Sequence, residues 1–490
     1  MKKILLLVLA LFMSTSVFLA GCDKKGLKDN PNTNDPIVSN GGMAVVKGDY
    51  LYYVNGFKSY EGLVKDQDNV WGKQVIGSIY RTKLSNNAIS HDEDGFLSKS
   101  ECVVPQIVGT ENASFYIFDD YIFYATPNMQ KDEYGNLLNT RSNICRVDID
   151  GTDSKVLYIT DQTLTSTNWT MYEVDGEAYI VILDGSKVVS IKAYDRKPKA
   201  VVMTSSATSA GLIKTDKQLA TDVYYNNNTL VDGYNNYVYY TRDITEDDGL
   251  GTLGGNILAR VKVGTTTEEK VASNGNTYTI ENIKSNCLYY SKTVKGSTNS
   301  IFCKYELSAD REFVQSRETE ILNATYTSKF VLDANNSLYV GNDVVAIDDS
   351  NNIKLISVVN SNKTPSKTLY TASGTINPLG LYGSKLFFLE SETICYIDVT
   401  AQNPTVQYVE TNGKTLKLDI NVVFDYDGRN VYFYSAYTPE GATEANYYLN
   451  RTDLEAGEVE SEFVGVFAEG HTPAKPETEE DAVEKEPWIK

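Results

Sequence analysis

Gly48-Asp49-Tyr50-Leu51-Tyr52-Tyr53 decides the fold, because the chain repeats it. Two turn-forming or polar residues, a variable one, then an aliphatic and two aromatics recur as Asp119-Asp120-Tyr121-Ile122-Phe123-Tyr124 and Asn235-Asn236-Tyr237-Val238-Tyr239-Tyr240. Ser285-Asn286-Cys287-Leu288-Tyr289-Tyr290 and Gly383-Ser384-Lys385-Leu386-Phe387-Phe388 follow the same form. Weaker copies begin at Asp175, Asn335 and Gly428, giving third residues at 50, 121, 177, 237, 287, 337, 385 and 430. Self-similarity at such spacing marks a repeat architecture.

A second recurring strand follows most copies: Ser78-Ile79-Tyr80-Arg81, Asn143-Ile144-Cys145-Arg146, Asn256-Ile257-Leu258-Ala259-Arg260 and Thr393-Ile394-Cys395-Tyr396. Outer strands match at 154–158 and 366–370, and apolar runs such as Phe115-Tyr116-Ile117-Phe118 and Asn421-Val422-Val423-Phe424 precede the aromatic strands. Each unit is therefore four short strands joined by Gly, Asn and Asp turns, which is the make-up of a propeller blade. One blade buries too little apolar surface to stand alone, so the blades must pack face to face. The expected fold is an all-β, multi-bladed β-propeller over residues 40–466, with eight four-stranded blades. Six or seven follow if the copies at 177 and 337 are insertions. Residues 204–227 read as an insertion between the third and fourth blades. The composition agrees: 35 tyrosines favour strands and bring a ring with a polar tip.

The chain opens Met1-Lys2-Lys3, then an apolar run from Ile4 to Met13, then Leu19-Ala20-Gly21-Cys22. Two lysines, an apolar stretch and small residues before a cleavage point form a secretory signal over 1–21. The ending resembles the bacterial lipobox, which implies a diacylglyceryl group on Cys22 and Cys22 as mature N-terminus. Ile4 to Ala20, broken by Ser14-Thr15-Ser16, is short for a membrane span of about 20 apolar residues. Asp23 after the cysteine resembles a Gram-negative signal for retention at the inner membrane. The expected place is the outward face of a bacterial cytoplasmic membrane, held by lipid. Residues 22–39 read as a flexible tether. The acidic, proline-bearing 467–490 reads as a disordered tail, in which Trp488 is an incidental aromatic.

The repeat also resembles a bacterial propeller family, a domain of unknown function related to the propeller of low-density lipoprotein receptors. Asn143-Ile144-Cys145-Arg146-Val147-Asp148-Ile149-Asp150-Gly151-Thr152-Asp153 and the Tyr-Tyr strands carry the likeness over approximately residues 40 to 466. The receptors' Tyr-Trp-Thr-Asp signature is missing, so the likeness implies architecture and no receptor function.

Function is narrowed by what the residues disfavour. Loss of Lys2 and Lys3 takes the formal charge from −20 to −22, against the basic surface that nucleic acid needs. Cys102, Cys145, Cys287, Cys303 and Cys395 are odd in number and widely spaced, which supports neither a disulfide framework nor a zinc site. Cys145, Cys303 and Cys395 read as small buried hydrophobes, and a Cys287–Cys303 bridge is the one conceivable pairing. The two histidines, His91 and His471, sit in no nucleophile motif. Ser90 to Glu101 fits a calcium loop at positions 3, 5, 6 and 12 but has Ser90 at position 1, and an acidic hairpin explains it as well. Asp150-Gly151 reads as a turn.

No catalytic, cofactor-binding or metal residues are assigned; Cys22 is the single site residue. The connections between second and third strands are long at 55–77 (with Tyr60 and Trp71), 126–142 and 245–255, and clustered long loops mark a recognition end. The reading is a monomeric, non-enzymatic binding or scaffold module for an envelope protein or polysaccharide. The alternative is a carbohydrate-active enzyme with paired carboxylates at the propeller mouth.

Overall fold

The computed structural model describes Gly26, Leu27, Pro31 and residues 42–464 apart from internal segments, the longest being 57–75, 90–99 and 212–235. The fold is all-β, a β-propeller of four-stranded blades. Among the described residues six sheets are four-stranded and two carry a fifth strand; a separate two-stranded ribbon pairs Glu410–Thr411 with Lys414–Thr415.

The first sheet runs Ala44–Lys47, Tyr50–Val54, Ile79–Ser85 and Ser100–Val104, with Ala88–Ile89 folding back on its third strand. The second is Phe115–Phe118, Tyr121–Pro127, Ser142–Asp148 and Lys155–Ile159. The third is Trp169–Val174, Glu177–Asp184, Lys187–Lys192 and Val201–Thr204. The fourth is Ala207–Gly211, Tyr237–Asp243, Asn256–Lys262 and Glu268–Ala272. The fifth is Thr277–Lys284, Cys287–Thr293, Ser300–Glu306 and Glu318–Leu322. In the sixth, Lys329–Phe330 and Tyr339–Val340 both pair with Asp343–Ile347, followed by Asn352–Ser357 and Pro365–Thr371. The seventh is Ile376–Tyr382, Lys385–Glu390, Thr393–Asp398 and Gln407–Tyr408, and the eighth Phe424–Tyr426, Asn430–Tyr437, Asn446–Asp453 and Ser461–Val464.

The aromatic repeat is the second strand of its sheet, and strand alternation turns it into two packing faces. In the first sheet Tyr50, Tyr52 and Val54 pack against Ile122 and Tyr124 of the second. In the fourth, Val238 and Tyr240 pack with Tyr172 and Val181 of the third, whereas Tyr239 joins Leu288 and Tyr290 of the fifth. Likewise Leu386 and Phe388 meet Val345 and Ile347, and Phe387 meets Val431 and Phe433. In these pairs of sheets the third and fifth residues of the repeat thus face the following sheet, and the fourth and sixth face the preceding one. That alternation is why both aromatic positions of the repeat are large: neither face is solvated. The turns before these strands need left-handed backbone, which Asp119 (φ 51) and Asp175 (φ 55) supply as residues that tolerate it.

Two expectations are corrected. The copy at Asn335–Val340 is not a second strand; Tyr339–Val340 is an edge hairpin on Asp343–Ile347, which holds the second position. Its Val345 packs toward the seventh sheet as the fifth residue of the repeat should, so the true copy starts at Gly341 and lacks aromatics. Within the expected insertion 204–227, Ala207–Gly211 is the first strand of the fourth sheet, paired with Tyr237–Asp243; residues 212–227 lie outside the described residues.

By compactness the chain divides into one unit of residues 1–163, 436–450 and 462–488 and another of 164–435, 451–461 and 489–490. Among the described residues no helix is long and apolar enough to cross a membrane.

Candidate interaction surface

The third strand of each sheet brings cations next to the aromatic strand. Arg81 lies opposite Tyr52, Arg146 opposite Phe123 and Arg260 opposite Tyr239. Each guanidinium stacks over the tyrosine at the third position of the repeat: Arg81 over Tyr50 at 4.6 Å, Arg146 over Tyr121 at 4.8 Å and Arg260 over Tyr237 at 4.1 Å. Such a stack contributes roughly 0.5–2 kcal/mol, more when water is excluded. Burial costs the guanidinium its hydration, and outer-strand carboxylates offset this. Glu101 accepts from Arg81 Nε at 2.9 Å and Glu269 from Arg260 Nε at 2.8 Å, while Arg81 and Arg260 also reach the hydroxyls of Tyr52 and Tyr239. Burial pushes the Tyr52 phenol up to about 12, against the opposing pull of Arg81. These clasps are structural. They hold the aromatic strand to the cation-bearing strand of each sheet.

Glu101 would be position 12 if Ser90 to Glu101 were a calcium loop. It lies on a strand, opposite Arg81, and forms an ion pair with Arg81 Nη2 at 2.8 Å. The carboxylate that should close a calcium loop is committed to a guanidinium; residues 90–99 lie outside the described residues.

The best-defined of the long connections joins the second and third strands of the fourth sheet, between Asp243 and Asn256. A short 3-10 turn, Glu246–Asp248, begins it. Arg242, two residues beyond the Tyr239-Tyr240 pair, fixes this turn with a planar fork. Its Nη1 and Nη2 donate to the two Asp248 carboxylate oxygens at 2.7 Å each, and its Nε and Nη2 donate to Glu268 at 2.7 and 2.6 Å. Lys270 adds an ion pair to Asp248 at 2.8 Å, and Tyr240 donates to Glu268 at 2.7 Å. Asp248 also accepts from the Thr245 amide and hydroxyl, closing a capping box. Hydrogen bonds from Arg242 and Lys270 hold the Asp248 carboxyl far below the usual carboxylate range, and Arg242 lowers Glu268 too. The result is an ordered projection that presents Glu246 and Asp247 to solvent.

The fifth sheet carries a shorter version. Lys292, at the same offset after Tyr289-Tyr290, ion-pairs with Glu318 at the start of the fourth strand, and Tyr290 donates to the same carboxylate. Its connection contains Val294, which is exposed. In the second sheet the corresponding connection displays Tyr134 at 81% exposure, the most exposed large apolar side chain among the described residues.

The remaining sequence-predicted residues divide plainly. Cys22, Tyr60, Trp71, His91, His471 and Trp488 lie outside the described residues. Cys145, Cys303 and Cys395 are buried free thiols, and burial pushes Cys145 and Cys395 up to about 12. A Cys287–Cys303 bridge is not formed: Cys303 is in no disulfide and lies opposite Tyr290, while Cys287 lies opposite Glu306. Asp150-Gly151 is the turn expected, with Gly151 at φ +82 and the Asp150 carboxylate accepting from the Thr152 amide at 2.9 Å. The sequence reading missed Arg242, Asp248, Glu268 and Lys270. Their signal was available in the cations Arg242 and Lys292 at one offset from the aromatic pair, with Glu268 and Glu318 heading the fourth strands.

No family model matches the chain, and no curated protein matches it. Solved structures do. A prolyl endopeptidase aligns at 9% identity over 85% of this chain and 54% of its own, with a TM-score of 0.39. A puromycin-hydrolyzing peptidase of Mycobacterium tuberculosis aligns at 11% identity over 74% and 53%, TM-score 0.40. A chain of a nidogen/laminin complex aligns at 11% over 60% and 90%, TM-score 0.27. The chain spans about half the length of those two peptidases. These likenesses are too distant to carry activity or partners, and the class, an all-β propeller protein, rests on its own sheets.

Proposed function

We propose that this chain is an extracytoplasmic lipoprotein, anchored through Cys22, whose propeller is a non-enzymatic binding platform for an envelope protein or polysaccharide. The observation that carries the reading is the Arg242 fork. It fixes the Glu246–Asp248 turn from within the sheet and leaves Glu246 and Asp247 as an acidic projection, so a partner meets a surface that costs little to order. The carboxylates on this connection also weigh against the glycosidase alternative. A glycosidase acid must hold its proton near neutral pH, and Arg242 keeps Asp248 and Glu268 ionised.

Capture from detergent-solubilised membranes, run beside a glycan array, tests the platform. Glu246→Gln with Asp247→Asn should weaken the captured interaction at least several-fold while thermal stability is unchanged. Specific retention of neither a protein nor a glycan sinks the reading. Cys22→Ser should move the folded protein from the membrane to the soluble fraction.

A further inference from the structure

Leu27, within the expected tether, is seated on the first unit. Its amide donates to the Asp150 carbonyl at 3.1 Å, and its side chain packs on the core shared by the first two sheets. Pro31 is buried. Gly26 fits so closely that a Cβ there would sit 2.2 Å from Asp150 Oδ2, and that carboxylate is itself tied to the Thr152 amide and hydroxyl. The receiving turn is fixed in its own right, since a Cβ at Gly151 would meet the Val103 carbonyl at 2.8 Å. Gly26 and Leu27 are therefore latched to the connection between third and fourth strands of the second sheet.

From the lipid anchor proposed at Cys22, on which this step rests, we infer that the Gly26–Leu27 latch sets the orientation of the second sheet on the bilayer. Three residues, 23 to 25, lie between Cys22 and Gly26, so even fully extended the link reaches about 14 Å. The 149–154 turn is thus held at the membrane. Within the same sheet, Ser142–Asp148 leads from the Tyr134 connection at one end to this turn at the other, roughly 20 Å along the strand. The latch therefore points the recognition connection away from the lipid.

Charge at the latched end fits a tethered approach and opposes adhesion. Asp49, Asp120 and Asp153 lie exposed on the turns at this end, with Lys83 paired to Asp49 and Lys155 to Asp153. Burial, with the nearby Asp153 and Asp150 charges, pushes the Asp148 carboxyl up. Anionic lipid does not attract such a surface, so the acyl chains supply the hold and the latch supplies the direction.

Two measurements on the mature, lipidated protein test this. In detergent, hydrogen exchange at the Leu27 amide should be at least tenfold slower than in Leu27→Asp or Gly26→Val; exchange at the rate of an unstructured chain overturns the latch. In vesicles of phosphatidylethanolamine and phosphatidylglycerol bearing a headgroup quencher, a fluorophore on Asp153→Cys should be quenched at least threefold more than one on Tyr134→Cys. Leu27→Asp should erase that difference. Equal quenching in the parent, or a difference that survives Leu27→Asp, overturns the orientation. Membrane retention that persists in Cys22→Ser would break the anchor reading and this orientation with it, while the exchange result still reports on the latch.

Discussion

The fourth and fifth sheets place a cation at one offset from the tyrosine pair and aim it at the first residue of the fourth strand, yet they build different loops. In the fourth, Arg242 has a planar fork with enough donors to hold Glu268 and still grip Asp248 from the connection itself. In the fifth, the Lys292 ammonium is a compact charge, which pairs with Glu318 and stops within the sheet. The connection that follows Arg242 spans 244–255, and the fork fixes its Glu246–Asp248 turn; the one that follows Lys292 runs only from 294 to 299. The contrast teaches that donor geometry, more than charge, decides whether a blade can carry a projecting loop.

Removing the fork should have the largest effect. Arg242→Ala removes the fork from Asp248 and Glu268, leaving Lys270 and Thr245 on the one and Tyr240 on the other, and should cost about 1–3 kcal/mol. Arg242→Lys keeps one partner and should cost roughly half of that, with limited proteolysis now cutting between 246 and 252. Equal thermal shifts for the two variants would break the comparison.

The two sheets should also fail at opposite ends of the pH scale. Folding lowers Asp248 and Glu268, so the unfolded chain takes up protons first as pH falls through the ordinary carboxylate range near about 4. The stability from this clasp is full above that range and lost as pH drops toward the folded values. Lys292 runs the other way. Burial disfavours its charge, but Glu318 outweighs burial and raises it. That contribution is full below the ordinary lysine range, near about 10.4, and lost as pH climbs through the raised value. Denaturation followed against pH should show Arg242→Ala flattening the acid limb and Lys292→Met flattening the alkaline limb, each without the other.

The smallest effect sharpens the comparison. Replacing Lys292 by Met together with Glu318 by Leu should cost under about 1 kcal/mol, less than either single change, because a buried pair exchanged for apolar side chains is often neutral. A double-mutant cycle on denaturant midpoints checks this. A cost equal to the sum of the singles would show no coupling between the two residues.

How much of this was legible follows from the range of each interaction. The repeat at 48–53 and its copies announced the second strands, because alternation and turn chemistry act within a few residues. The copy in the sixth sheet was misplaced because Asp343–Ile347 keeps the alternation without aromatics, while Tyr339–Val340 imitates the pattern on an edge. Ala207–Gly211 was read as insertion since its small and polar residues give no strand pattern; its pairing with Tyr237–Asp243 makes it one. The Arg-bearing third strands were visible as a series, but the stacking of Arg81 and Arg260 on tyrosines was not.

By itself, then, the sequence determined the β class, the blade as repeating unit and a lipobox-like Cys22, all matters of local pattern. Tertiary structure alone decided that Glu101 serves Arg81, that Arg242 orders its loop, and that Leu27 lies on Asp150. Glu101 and Leu27 find partners 20 or more residues away, and Arg242 grips its own loop only because Glu268 of another strand holds the same guanidinium; no local periodicity encodes such pairings.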